Sequence, residues 1–209
     1  MMKIDKDLLK HRAEFSRALR NHHYEISEGG LLFPRIGGAH VEGLYIHDVN
    51  GQDERADTNI VSSEGLAHIL DVAFHDATKT ATWYFRLFSA NTTPLYSWTA
   101  ANFTANATEI TSGTEGYSES TGQAFVEAAA VAAGGSSTAS ASITNSANKA
   151  AFTIVTASTL SVWGAGLLSN SAKGGTTGVL ASASKFSAVR TLQNTDVFNL
   201  SYTLTMTST

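Results

Sequence analysis

Four side chains that could bind a metal ion or carry out acid–base chemistry fall within one short predicted helix. They are His68, Asp71, His75 and Asp76. Two histidines on a helix bind the same metal ion when they are spaced i, i+4, because both imidazoles then lie on one side. His68 and His75 are instead about two turns apart. Their spacing therefore favours structural roles over a metal site.

Acids and tryptophans in the middle of the chain are the residue types of a glycosidase or sugar-binding site, which needs two carboxyl groups across a cleft. The acids are Glu109, Glu115, Glu119 and Glu127, and the tryptophans are Trp83, Trp98 and Trp163. Trp83 and Trp163 lie in apolar runs that are typical of buried strands. Trp98 lies beside Tyr96 in a polar loop, so we expect Tyr96 and Trp98 to be exposed contact residues.

Well-known catalytic motifs are absent from the sequence. It has no G-x-S-x-G elbow, P-loop, G-x-G-x-x-G loop or H-E-x-x-H pair. It has no cysteine, which excludes disulfides, a thiolate nucleophile and a zinc–thiolate site. We therefore predict a protein that is not an enzyme, with no catalytic residues, no metal site and no cofactor. An enzyme whose site assembles from distant positions is the weakest alternative.

Charge is concentrated near the N-terminus. Residues 1–58 hold 18 of the 32 Asp, Glu, Lys and Arg, whereas residues 91–209 hold nine. The net charge of −4 does not indicate a nucleic-acid-binding surface, and no apolar run approaches the roughly 18–20 residues of a membrane span. The charged N-terminus lacks the apolar core of a signal peptide. We expect no nucleic-acid or membrane partner, and synthesis and retention in the cytoplasm.

Residues 1–30 are predicted to form an N-terminal helical arm. Residues 3–24 contain good helix formers and no Gly or Pro, with a narrow apolar stripe made of Ile4, Leu8, Phe15 and Leu19 and interrupted by Arg12. So thin a stripe suits docking on a neighbouring subunit or lying along a sheet. The candidate partner-binding residues of the arm and the segment after it are Leu8, Phe15, Leu19, Leu31 and Phe33.

Residues 31–58 are predicted to form an extended segment or hairpin and a charged loop. Pro34 favours extended backbone before it, and residues 41–47 have the pattern of a strand. Asn50-Gly51 is a tight-turn signal. The charged residues 53–57 are expected to form a solvated loop.

Residues 59–209 are predicted to form an antiparallel β-sandwich of jelly-roll or immunoglobulin-like type. It includes a helix over 63–76, capped by Ser62 or Ser63 and expected to pack on the β domain through Leu66, Ile69, Leu70 and Ala73. The other segments alternate with period two. In the last strand this alternation predicts a buried face made of Phe198, Leu200, Tyr202, Leu204 and Met206. The predicted fold class is mainly β, with one packed helix and the helical arm.

The β domain resembles a family of small virion structural proteins of tailed bacteriophages. The resemblance covers roughly residues 40–209 and is carried by packing and turn residues, in the strings NIVSSEGL from Asn59, TWYF from Thr82, ITNSANKA from Ile143, WGA from Trp163 and KFSAVR from Lys185. It implies a particle component, either a capsid decoration (cement) protein or a head-fibre or tail component. The family offers no catalytic residues to carry over.

These observations predict a non-enzymatic virion protein that binds and stabilises the major capsid shell. The expected partners are the major capsid protein and neighbouring copies of the chain, as a homo-oligomer on the capsid surface after synthesis in the cytoplasm of the bacterial host. One alternative is a tail, head–tail or head-fibre component. Another is a carbohydrate-binding or host-adhesion module that would use Tyr96, Trp98 and Glu115.

Overall fold

The computed structural model describes residues 24–26, 32–34, 38–135 and 138–208. Within these ranges the protein is mainly β, with fourteen strands and two helices. The predicted arm lies largely outside the described residues, as do its candidate contact residues Leu8, Phe15 and Leu19 and the following Leu31. Phe33 lies on a short strand.

The strands are β1 Tyr24–Ile26, β2 Leu32–Pro34, β3 Ala39–Val49, β4 Gln52–Thr58, β5 Ile60–Val61, β6 Trp83–Phe88, β7 Gly116–Tyr117, β8 Gln123–Phe125, β9 Val131–Gly134, β10 Ala139–Thr144, β11 Ala150–Val155, β12 Leu160–Leu168, β13 Leu180–Leu192 and β14 Val197–Ser208. The helices are α1 Ser63–Phe74 and α2 Ala100–Ala107. No helix of the described residues is both long and apolar enough to cross a membrane.

The chain divides into two compact units, and the first comprises residues 1–40, 132–140 and 206–209. In its described part, β1 pairs antiparallel with β2, and Glu25 lies opposite Phe33. The end of the predicted helical arm is therefore wrong at residues 24–26, which form a strand. Gly29-Gly30 disfavour a helix that would continue past residue 26. Pairing with β2 instead satisfies backbone N–H and C=O groups of residues 24–26.

The second unit comprises residues 41–131 and 141–205 and holds most of the two antiparallel sheets. One sheet has the order β5-β13-β12-β6-β8. The other has the order β4-β3-β14-β10-β9, and β11 joins it through β14 and carries β7. One hydrophobic core takes side chains from both sheets, among them Tyr45, Phe85, Phe152, Phe186 and Phe198. Alternation along the strands places these residues inside.

The prediction that residues 53–57 form a solvated loop is wrong, because they belong to the second strand of the β3–β4 hairpin. Asn50 and Gly51 form the predicted tight turn, both with positive φ, which suits the twist of a two-residue hairpin. The residues after the turn form β4 and pair with β3 in the register His47 opposite Arg55. The charges of β4 do not prevent strand formation because several of them pair with residues of other strands, as described below.

Helix α2 covers the outer face of the five-stranded sheet and was not predicted from sequence, which indicated one packed helix in residues 59–209. Phe103 and Ala107 pack in a second apolar cluster with Phe88, Leu168 and Leu180. The helix explains why β6 is buried on both faces. The helix begins at Ala100, whose backbone amide has no acceptor within the helix. This amide donates to the carboxylate of Glu64, 36 residues earlier in the chain, over 2.8 Å.

Candidate functional site

A buried histidine–aspartate pair is the arrangement in the described residues that most resembles a general base. Nε2 of His47 lies 2.9 Å from Oδ2 of Asp57. Nε of Arg190 donates to Nδ1 of the same imidazole over 2.9 Å, which fixes a neutral ring with its proton on Nε2. Burial lowers the pKa of His47, an effect that the hydrogen bond to Asp57 only partly opposes. With both nitrogens occupied and no exposed surface, His47 has a structural role.

The candidate acid Glu109 is also structural. Its carboxylate forms a fully buried ion pair with Arg86 and accepts hydrogen bonds from Thr104 Oγ1 (2.7 Å) and the amide of Gly174 (3.1 Å). Arg86 also donates to the carbonyl of Gly175 over 3.0 Å. These bonds join β6, the end of α2 and the 174–175 loop, and they leave no free carboxyl oxygen for catalysis.

Two other candidate acids bind the C-terminal half of β11 and the residues that follow it. The carboxylate of Glu115 accepts from Thr156 Oγ1 over 2.8 Å and from the amide of Ala157, and Glu119 accepts from the amide of Thr153 over 3.0 Å. Among the described residues, no group of three or more His, Cys, Asp or Glu could hold a metal ion.

The two aromatic residues expected to be exposed separate in the structure. Tyr96 is 65% exposed, whereas Trp98 is only 4% exposed and packs edge-on against Phe103 of α2. The expectation of an exposed Trp98 is therefore wrong. It failed because the polar residues around Trp98 gave no sign that α2 would fold over the indole.

An exposed apolar surface on α1 is the best candidate for a functional site. Leu66, Leu70 and Phe74 are spaced one turn apart and all are exposed, Phe74 by 86%. The loop that carries exposed Leu95 and Tyr96 lies beside the first residue of this helix, since the Ser63 amide donates to the carbonyl of Tyr96 over 2.9 Å. We call these five residues the helix surface. They are five of the seven large hydrophobic side chains exposed in the described part of the chain.

The helix surface faces outward because of a glycine on the inner side of α1. Gly65 is the buried residue of the helix, and a Cβ there would lie only 2.8 Å from the Cα of Ala181 on β13. This close approach turns His68, Ile69 and Val72 partly inward. The expectation that Leu66, Leu70 and Ala73 pack on the β domain is wrong, and Ile69 alone of the four is half-buried.

Hydrogen bonds at the start and in the middle of α1 fix it in this orientation. Ser62 caps it, with its Oγ accepting from the amide of Gly65 over 2.9 Å. The carboxylate of Glu64 accepts from the amides of Ala100 (2.8 Å) and Leu180 (2.7 Å). Nε2 of His68 lies 3.0 Å from Oγ1 of Thr80. The helix surface is therefore held on a rigid support.

An apolar cavity of about 220 Å³ lies beneath α1. Its wall is mainly apolar and includes Ile69, Trp83, Phe125, Tyr202 and Leu204. The exposed side chains Lys79 and Glu127 also belong to the wall. The region around α1 thus combines an exposed apolar ridge, which is a feature of protein-binding surfaces, with incompletely filled apolar space beneath it.

Comparisons with protein-family models, with curated proteins and with solved structures find no match for this chain.

Proposed function

We propose that this protein is a capsid decoration protein of a tailed bacteriophage. It binds the outside of the capsid and cements adjacent major capsid subunits, without enzymatic activity. The sequence resemblance over roughly residues 40–209 supports the phage class. The observation that carries a binding role is the helix surface, which holds five of the seven large hydrophobic side chains exposed in the described residues.

The proposed architecture is a β-sandwich of jelly-roll or immunoglobulin-like type that acts as a rigid body. The hydrophobic core that both sheets share supports a sandwich. Many copies of such a body, each with a modest interface, can together stabilise a shell far more than one contact could. The N-terminal arm, a prediction from sequence, provides further attachment to the capsid or to neighbouring copies.

Removal of the arm tests its part in attachment. A chain that lacks residues 1–23 keeps every residue of the described β strands and helices. We expect it to fold but to leave purified capsids largely undecorated when mixed with them, whereas the full chain saturates them. Full occupancy by the truncated chain would show that the arm is not needed.

A tail or head–tail location is the nearest alternative, and stoichiometry separates the two. A decoration protein is present in proportion to the major capsid protein, whereas a tail-axis protein forms one ring per particle. The carbohydrate-binding alternative loses support, because Trp98 is buried and Glu115 is occupied by backbone and hydroxyl donors.

A further inference from the structure

We propose that the helix surface, which is Leu66, Leu70, Phe74, Leu95 and Tyr96, binds the N-terminal segment of a neighbouring copy of this chain. The helix surface would then be the receptor for the arm, and the biological setting of this contact rests on the proposed function. The contact itself is a property of the isolated protein and can be tested without a capsid.

The charges of the two segments favour the N-terminal segment, rather than a second α1, as the ligand of the helix surface. From its N-cap Ser62 to Asp76, two residues after its end, the α1 segment carries three acids, Glu64, Asp71 and Asp76, and no Lys or Arg. Two copies of this helix would therefore repel each other if their surfaces paired. Residues 1–23 hold six Lys and Arg against three Asp and Glu, so the segment has the opposite net charge and is attracted to α1.

The apolar stripe of the arm is long enough to cover the apolar residues of α1. Leu66 and Phe74 lie two helical turns apart, about 12 Å along the axis. In a helical arm, Leu8 and Leu19 would be about 16 Å apart, with Phe15 between them. The stripe of the arm is too narrow to bury a helix in a core of its own, but it matches a ridge of three side chains. An amphipathic segment on an apolar helix face is a common mode of peptide recognition.

Polar groups at the edges of the helix surface can fix the register of the arm. Asp71 is about half-exposed, and its Oδ1 lies 3.6 Å from Nδ1 of the exposed His75. Glu64 is held by two backbone amides, so it keeps its charge near the start of the helix. A basic residue of the arm can pair with Asp71 without displacing any structural hydrogen bond of the β domain.

A contact of this kind is heterologous, since the arm of one copy binds a different surface on the next. Such contacts form closed rings or chains of subunits. They suit a protein whose copies lie side by side on a shell. The arm can occupy a neighbour's helix surface and thereby hide the exposed Phe74 and Tyr96 from water.

A complementation experiment on full-length protein tests this inference. We expect the wild type to self-associate in sedimentation velocity, and less strongly at high salt because exposed charges are screened. Phe74→Ser removes the receptor side, and Phe15→Ser removes the arm side. Each variant alone should associate at least about tenfold more weakly than wild type. An equimolar mixture should regain association as a 1:1 pair, since one partner keeps its arm and the other keeps its helix surface.

A substitution outside the helix surface provides the matched control in the same assay. Val126→Ser changes another exposed apolar residue of the β domain outside the helix surface and should leave association unchanged. Circular dichroism checks that each variant is folded. A wild type that is monomeric at all concentrations, undiminished association of Phe15→Ser, or no recovery in the mixture would each overturn the inference. Capsid decoration could survive any of these results, because it is measured separately on particles.

Discussion

At the scale of single residues, the titratable groups with the most unusual surroundings stabilise the fold. His47 stacks on Phe186, with ring centroids 3.9 Å apart, and is hydrogen-bonded between Asp57 and Arg190. Protonation of Nδ1 would place two donors against each other. The imidazole must therefore stay neutral in the folded state, which makes His47 a source of pH-dependent stability.

We predict that stability decreases as the pH falls through about 6.5, the pKa of an unfolded histidine. Because the pKa of folded His47 is lowered, the unfolded state binds the proton more readily. The stabilisation is complete above about pH 6.5 and is lost toward the folded-state pKa, by at most about 1.4 kcal/mol per pH unit. Urea unfolding between about pH 7.5 and 5.5 measures this slope.

The variants His47→Gln and His75→Gln separate this effect from general acid sensitivity. Glutamine can donate to Asp57 and accept from Arg190 but does not titrate, so His47→Gln should flatten the slope. His75 has a largely exposed side chain, and its replacement should leave the slope as in wild type. An unchanged slope in His47→Gln would assign the pH dependence to other groups.

Glu109→Gln should destabilise the protein by about 3–5 kcal/mol, because it leaves the buried charge of Arg86 without a counter-charge. The matched control is Glu54→Gln. Glu54 also forms an ion pair, with Lys149 over 2.7 Å, but is largely exposed, so its loss should cost less than about 1 kcal/mol. Equal effects of the two substitutions in urea unfolding would refute the structural role of the buried pair.

At the scale of elements, the seating of α1 depends on Gly65. Alanine at this position would favour the isolated helix by about 1 kcal/mol, but its Cβ would overlap the backbone of Ala181. We predict that Gly65→Ala is destabilising by about 1–3 kcal/mol. Gly113→Ala, where a Cβ meets nothing within 4 Å, should change stability by less than about 0.5 kcal/mol. A stabilising Gly65→Ala would mean that α1 is not held as described.

The elements that could be predicted from sequence are those with a local signal. Period-two alternation located β14, and the Asn50-Gly51 turn is confirmed. Phe198, Leu200 and Tyr202 are buried as predicted, whereas Leu204 and Met206 are only half-buried. The polar face of β14 also takes part in packing, because Asn199 donates to Asp48 over 2.7 Å.

The elements that were missed depend on partners far away in the chain. Helix α2 begins at a carboxylate from α1, and β4 is stabilised by long-range polar contacts such as Arg190 to Asp53 over 2.6 Å. The leucines and Phe74 of α1 face outward because Gly65 packs closely against β13. None of these contacts leaves a periodic pattern in the sequence, so Tyr96 could be proposed as a contact residue but the helix surface around it could not.

At the scale of the whole molecule, the described residues combine a β-rich body with one concentrated apolar surface. The candidate acids Glu109, Glu115 and Glu119 are used to hold loops and strand ends together. We therefore propose that the body serves as a support and that the helix surface, with its exposed apolar side chains, contacts a partner. This arrangement is the basis for proposing a role in assembly.

The stoichiometry of purified virions tests the central claim most directly. Quantitative mass spectrometry of the particles should measure this chain relative to the major capsid protein. The account predicts a fixed ratio to the major capsid subunits, retained on capsids separated from their tails. A copy number equal to a single ring, loss of the chain together with the tails, or its absence from virions would contradict the proposed role.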